Sequence, residues 1–155
     1  MKPNIKKLLL CLAIPLAVGA LGALLSGGMQ SYLIQNQPPL SPPGWVFPLV
    51  WSALYLLMGY ASYLVVTADA PREQKKRALL AYGAQLTLNL LWPIIFFGFD
   101  AYLAAFFILL ALWVLIFLTV RLFSQISEKA GDLLIPYLLW VSFAAYLNLG
   151  VFLLN

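Results

Sequence analysis

At 155 residues, 64% hydrophobic and 9% charged, with a mean hydropathy of +0.95, the chain has too little charge to cover a water-soluble surface. The single cysteine excludes an internal disulfide framework and a cysteine-based zinc site. Nine Lys and Arg against five acids would suit nucleic acid, but the charges lie where a membrane topology puts them, so no nucleic-acid partner is expected.

Five apolar stretches, each enough for a helix of about 20 residues across a hydrocarbon core roughly 30 Å thick, predict an all-α membrane protein. The expected architecture is a five-transmembrane-helix bundle in one domain over residues 1–155, with a long exterior loop after the first helix. The expected spans are 5–25, 44–67, 78–97, 101–123 and 133–154, with a lid loop over 26–43.

The first span opens with Lys6 and Lys7, after Lys2. Its apolar run of roughly 18 residues exceeds the about 7 to 15 of a secretory signal, and no small-x-small cleavage site closes it. Cys11 opens that run rather than following it, which argues against a lipoprotein box and for a buried structural thiol. Gly19, Ala23 and Gly27 recur every four residues as a small-residue stripe, suited either to packing within the bundle or to a dimer contact. The uncharged connection 26–43 carries Tyr32 and Leu33 near its centre, with several Gly and Pro. Loops this long without structure of their own are commonly lids or binding loops, and the apolar residues and prolines favour a segment folded onto the bundle.

In the second span Pro48, Trp51 and Tyr55 lie three and four apart, on one helix face, which is expected to be the wall of a ligand pocket beneath the lid. The REQKKR run at 72–77 is expected to form a solvated turn. The third span aligns Gln85, Asn89 and Trp92 along one face, and Pro93 frees the carbonyl of Asn89 from the helical ladder. Polar groups at that depth are costly unless they face the bundle interior, where they either tie helices together or line a pocket. The fourth span is the plainest, a scaffold facing lipid, with Trp113, like Trp45, expected as an interfacial anchor. Asp132 is the expected N-cap of the fifth helix, with Pro136 in its first turns. There Tyr137, Trp140, Ala144 and Asn148 share a face and make a second aromatic and polar wall.

All nine basic residues lie before or at the start of the first span, between the second and third, or at or after the end of the fourth, whereas the opposite side carries only Asp100. This segregation predicts a cytoplasmic N-terminus and an exterior C-terminus, in a cytoplasmic membrane. Without histidine, any haem-like ligand would be held without its usual axial bond, and neither a metal site nor a cofactor is expected. Asp69, Glu73, Asp100, Glu128 and Asp132 all lie at span ends or in loops, so no acid, base or nucleophile set is visible in the expected pocket.

The stretches PPLSPPGWVFPLVWSALYLLMGYASYLV, QLTLNLLWPIIFFG and LLIPYLLWVSFAAYLNLGVFLL resemble the three signature stretches of the TspO/MBR family, which includes the tryptophan-rich sensory proteins, the translocator proteins and the peripheral benzodiazepine receptors. The resemblance spans residue 32 to the C-terminus. It implies a five-helix bundle, commonly a homodimer, with a pocket under the loop after the first helix. It also implies binding of tetrapyrroles such as protoporphyrin IX and of drug-like hydrophobic ligands, with cholesterol added in animal members. Some bacterial members are said to promote light-dependent porphyrin breakdown through two pocket tryptophans, which by motif correspond to Trp51 and Trp140. Tyr32, Pro42, Tyr55, Asn89, Trp92 and Ala144 likewise match pocket positions. The cholesterol motif of animal members needs a basic residue after its tyrosine, and none follows Tyr146, so sterol is not expected at that site.

The expected function is thus a membrane receptor or sensor for tetrapyrroles, with porphyrin as ligand and enzymatic turnover left open. The alternative is a transporter of porphyrins or other lipophilic compounds. Against a proton-coupled carrier stand spans with no ionisable group at mid-depth and no convincing internal repeat.

Overall fold

The computed structural model describes residues 3–28 and 35–155. Its elements are α1 (Ile5–Leu25), α2 (Val46–Thr67), α3 (Arg72–Pro93) running into a π-turn (Ile94–Gly98), α4 (Tyr102–Ile126), the short α5 (Glu128–Leu133) and α6 (Ile135–Leu154). Five of the described helical stretches are long and apolar enough to cross a bilayer, the last comprising α5 and α6 together. The chain is a five-helix membrane bundle. One end of the bundle carries the basic loops and the other carries the segment joining α1 to α2; they are called here the basic end and the strap end.

Several boundaries differ from expectation for local reasons. The third helix begins at Arg72 rather than near residue 78, because Arg, Glu, Gln and Lys are good helix formers. Glu73 also sits in the first turn, where a carboxylate complements the helix dipole. The REQKKR run is therefore the start of α3, not a turn. Asp132 caps nothing: it lies inside α5, whose N-cap is Ser127, with its side chain accepting from the Ala130 amide at 3.3 Å. A separate helix follows because Pro136 lacks the N–H needed to continue the ladder from α5.

The helices pack around two apolar clusters. The larger fills the basic half, where Leu54, Met58 and Val65 of α2 meet Tyr82 and Leu86 of α3, Leu112, Ile116 and Phe123 of α4, and Val141 of α6. The fourth span contributes far more than a lipid-facing scaffold. Its residues Ala105, Leu109, Leu112, Ile116, Thr119 and Phe123 form a buried stripe at helical spacing, while Phe107, Val114 and Phe117 on the other face are exposed. The smaller cluster, Phe96, Ala105 and Val151, lies at the strap end.

Close helix approaches depend on small residues. A Cβ on Gly59 would lie 2.7 Å from both the Cys11 carbonyl oxygen and Leu12 Cα, so α1 and α2 cross there at backbone contact. Gly19 of α1 lies against the Tyr55 ring, and Ala23, one turn on, faces the interior. The small-residue stripe thus serves packing within the bundle. Gly27 falls beyond the end of α1 with a φ of +81°, outside the helical stripe.

At the basic end Lys75 donates to the Val66 carbonyl at 3.1 Å, and the Lys129 ammonium sits 5.4 Å from the centre of the Tyr60 ring. α5 packs against α2 and α4 and joins α2 to the last helix. Nearer the strap end, a cavity lies between α2 and α6.

Candidate functional site

The cavity has a volume of about 360 Å³, within the range of small-molecule sites, and occupies the strap half of the bundle. Four long helices and the strap contribute to its walls. From α1 come Leu16, Gly19, Ala20 and Ala23, and from the strap Gln35 and Ser41. The second helix contributes Phe47, Pro48, Trp51, Ser52 and Tyr55. Helix α3 and its π-turn add Asn89, Trp92, Phe96 and Phe97, and α6 adds Trp140, Ala144, Leu147, Asn148 and Val151.

The α2 wall is built by the three-and-four spacing of its aromatic face. Trp51 stacks on Tyr55, with ring centres 5.6 Å apart and planes inclined by 28°. Trp51 meets Tyr137 edge-on at 6.1 Å, and Phe47 meets Trp140 edge-on at 5.9 Å. These edge contacts hold the α2 and α6 walls in register, each adding about 0.5–1.5 kcal/mol beyond area burial.

The floor is a directional hydrogen-bond chain across three helices. Tyr55 Oη donates to Asn89 Oδ1 at 2.8 Å, Asn89 Nδ2 donates to Tyr137 Oη at 2.6 Å, and Tyr137 Oη donates to Gln85 Oε1 at 2.7 Å. Asn89 therefore does both things that its position allows: it lines the cavity and ties α3 to α2 and α6. A second bridge lies closer to the strap, where Trp92 Nε1 donates to Asn148 Oδ1 at 2.9 Å and Asn148 Nδ2 donates to the Tyr102 carbonyl at 2.8 Å. Just beyond Trp92, Pro93 opens the π-turn, closed by the Phe99 amide bonding to the Ile94 carbonyl at 3.2 Å. That turn places Phe96 and Phe97 beside Trp92, with Phe96 stacked on it at 5.0 Å.

The strap is latched onto α6. The Asn36 amide donates to Asn155 Oδ1 at 3.1 Å, Asn155 Nδ2 returns a bond to the Asn36 carbonyl at 2.8 Å, and Tyr146 Oη donates to the Pro39 carbonyl at 2.6 Å. Pro38 is buried against Gly150, where any Cβ would meet its ring.

Of the residues singled out by sequence, Trp51, Tyr55, Asn89, Trp92, Trp140, Ala144 and Asn148 line the cavity, as does Pro48. Gln85 and Tyr137 are each 1% exposed and lie in the floor behind Asn89, supporting the wall without forming it. Pro42 is not among the lining residues, and Tyr32 lies outside the described residues. The sequence reading missed the α1 wall, because a stripe of Gly and Ala signals close packing before it signals room for a ligand. Gln35 and Phe47 were also missed, and no local signal marks them. Trp113 is more than an interfacial anchor: it stacks on Phe117 and donates to Ser142 Oγ at 2.9 Å, joining α4 to α6. Trp45 is 69% exposed.

No charged residue occurs among the described residues that line the cavity. No group of three His, Cys, Asp or Glu able to hold a metal occurs among the described residues. The walls can therefore stack on, enclose and hydrogen-bond a flat, largely apolar molecule.

The TspO/MBR family profile matches residues 11–154. The chain is 38% identical over 157 residues to the tryptophan-rich protein TspO of Chlorobaculum tepidum, an alignment covering 100% of this chain and 99% of that one. It is 35% identical to protein CrtK of Rhodobacter capsulatus, over 88% of this chain and 85% of the relative. It is also 38% identical to the human translocator protein, over 78% of this chain and 72% of that protein.

Proposed function

We infer that this chain, which belongs to the TspO/MBR family, acts as a membrane receptor or sensor that binds flat, largely apolar ligands, tetrapyrroles such as protoporphyrin IX among them. The observation that carries this reading is the pair of aromatic walls, Phe47, Trp51 and Tyr55 of α2 and Trp140 of α6, around one cavity floored by Asn89. Indole and phenol rings suit a planar ligand because each stacking partner adds about 0.5–1.5 kcal/mol to the apolar area buried. Binding by stacking needs no metal bond, in keeping with a chain without histidine.

In this reading the strap faces the exterior and the basic end the cytoplasm, as the distribution of Lys and Arg favours. Any porphyrin chemistry would then come from the excited ligand and the indoles of Trp51 and Trp140.

The test is quenching of tryptophan fluorescence by protoporphyrin IX in detergent, followed by absorbance under illumination. Saturable micromolar quenching is expected in the wild-type protein, weakened about tenfold in the double variant Trp51→Phe, Trp140→Phe through the lost stacking area. Quenching that never saturates, or that ignores both substitutions, removes the reading. Porphyrin loss under light that depends on the two indoles would extend it to photochemistry.

A further inference from the structure

We infer that the strap is embedded in the leaflet at its own end of the bundle, with Leu40 and Trp45 directed into lipid acyl chains. The inference is independent of what the cavity binds.

Three observations lead there. First, the strap lies at membrane depth. Asp100 is the charged residue of the strap end, and Tyr102, two positions later, is level with Asn148, which donates to its carbonyl at 2.8 Å. The described strap begins above that level, where Asn36 pairs with Asn155, and approaches it at Pro38, whose ring lies against Gly150. By Pro39 it has reached Tyr146, and by Phe47 the chain has reached Trp140. Tyr146 and Trp140 belong to a membrane-spanning helix, and the drop from one to the other is roughly 9 Å at about 1.5 Å per residue. Residues 39–47 therefore descend inside the span.

Second, the backbone of the strap suits lipid. Unwound chain at that depth must satisfy its polar groups without water. Pro38, Pro39, Pro42 and Pro43 have no N–H to satisfy. The carbonyls of Pro38, Pro39 and Pro43 accept from Ser41 Oγ at 2.7 Å, Tyr146 Oη at 2.6 Å and the Val46 amide at 3.0 Å. No Asp, Glu, Lys or Arg occurs between Lys7 and Asp69, so the whole connection from α1 to α2 is uncharged. A loop held in water is under no such constraint.

Third, the outer face is apolar where water would favour the opposite. Leu40 has a φ of +70°, a left-handed conformation that Gly or Asn adopts more readily than a branched apolar residue. Its side chain is nonetheless 83% exposed, and Trp45 and Leu49, four apart on one face at the start of α2, are 69% and 64% exposed. None of the three fills the interior of the bundle. Their apolar area is stabilised where acyl chains take the place of water.

The test reads depth in phosphatidylcholine liposomes. In the full chain carrying Cys11→Ala, a nitroxide is attached at Leu40→Cys or Trp45→Cys. Phe107→Cys, on the exposed face of α4, is the reference for lipid, and Asp100→Cys is the reference for the aqueous boundary. At positions 40 and 45, collisions with oxygen should dominate those with a water-soluble nickel chelate, as at 107, and nickel accessibility should be several-fold below that at 100. Nickel accessibility equal to that at 100 overturns the inference. Because a label adds bulk to the strap, a second measurement uses the native side chain, taking the fluorescence of the wild-type protein less that of Trp45→Phe. This Trp45 share should be quenched strongly by phosphatidylcholine brominated in its acyl chains and little by aqueous acrylamide. Quenching by acrylamide with little from brominated lipid overturns the inference in the same way.

Discussion

Asn89, like Asn148, bridges helices through both ends of its amide while facing the cavity: it accepts from Tyr55 and donates to Tyr137. Replacing it with Leu leaves the Tyr55 hydroxyl without an acceptor in a buried setting. The expected loss is about 1–3 kcal/mol, read as a lower midpoint of thermal unfolding in detergent. Tyr55→Phe removes the orphan along with the bond, so the double variant Tyr55→Phe, Asn89→Leu should be less destabilised than the sum of its parts. Additive losses would mean that the bond contributes little. The spacing of Gln85, Asn89 and Trp92 made this row visible in sequence, but not the division of labour within it. Gln85 and Tyr137 look equivalent to Asn89 along their helices, and only their distance from the cavity makes them supports.

At the scale of elements, the joint between α1 and α2 is the most exacting. Gly59 lets the α1 backbone pass at contact distance, so Gly59→Val must push the helices apart or disrupt α1. Overpacking of this kind typically costs about 1–3 kcal/mol. Because α1 forms one wall, ligand affinity should fall together with the unfolding midpoint; a fall in neither would contradict the crossing. The strap behaves differently, since Asn36 with Asn155 and Tyr146 with Pro39 latch it at its α6 side. Tyr146→Phe should leave the unfolding midpoint nearly unchanged and speed ligand dissociation several-fold in stopped-flow, as expected when one hydrogen bond of about 0.5–1.5 kcal/mol is removed from a cover. Unchanged dissociation would show that the strap does not gate the cavity. Helix periodicity predicted where the five long helices lie, but it placed the starts of the third and fifth poorly. Charged residues of high helix propensity extended α3 backward, and Pro136 split the last span in two.

For the whole molecule, the charge distribution predicts orientation. With Cys11 replaced by Ala, a cysteine at Asp100 should react with a membrane-impermeant maleimide added to intact cells, and one at Gln74 should react only after the membrane is opened. The reverse pattern would invert the topology. The bundle is built so that its basic half is filled with side chains and its strap half holds the cavity. At the cavity the Phe47–Trp140 and Trp51–Tyr137 edge contacts join α2 to α6.

What the sequence determined by itself was everything that follows from composition and period. The membrane setting, five spans, one-sided basic charge and two aromatic faces all arise from residue type and helical spacing, which act locally along the chain. The three signature stretches also identified the family. Only the tertiary structure decided which faces meet, and so that α1's small residues are a cavity wall, that half of α4 is core and that Gln35 reaches the site. Those outcomes depend on helix crossing and on hydrogen bonds between residues far apart in sequence, which no local pattern encodes.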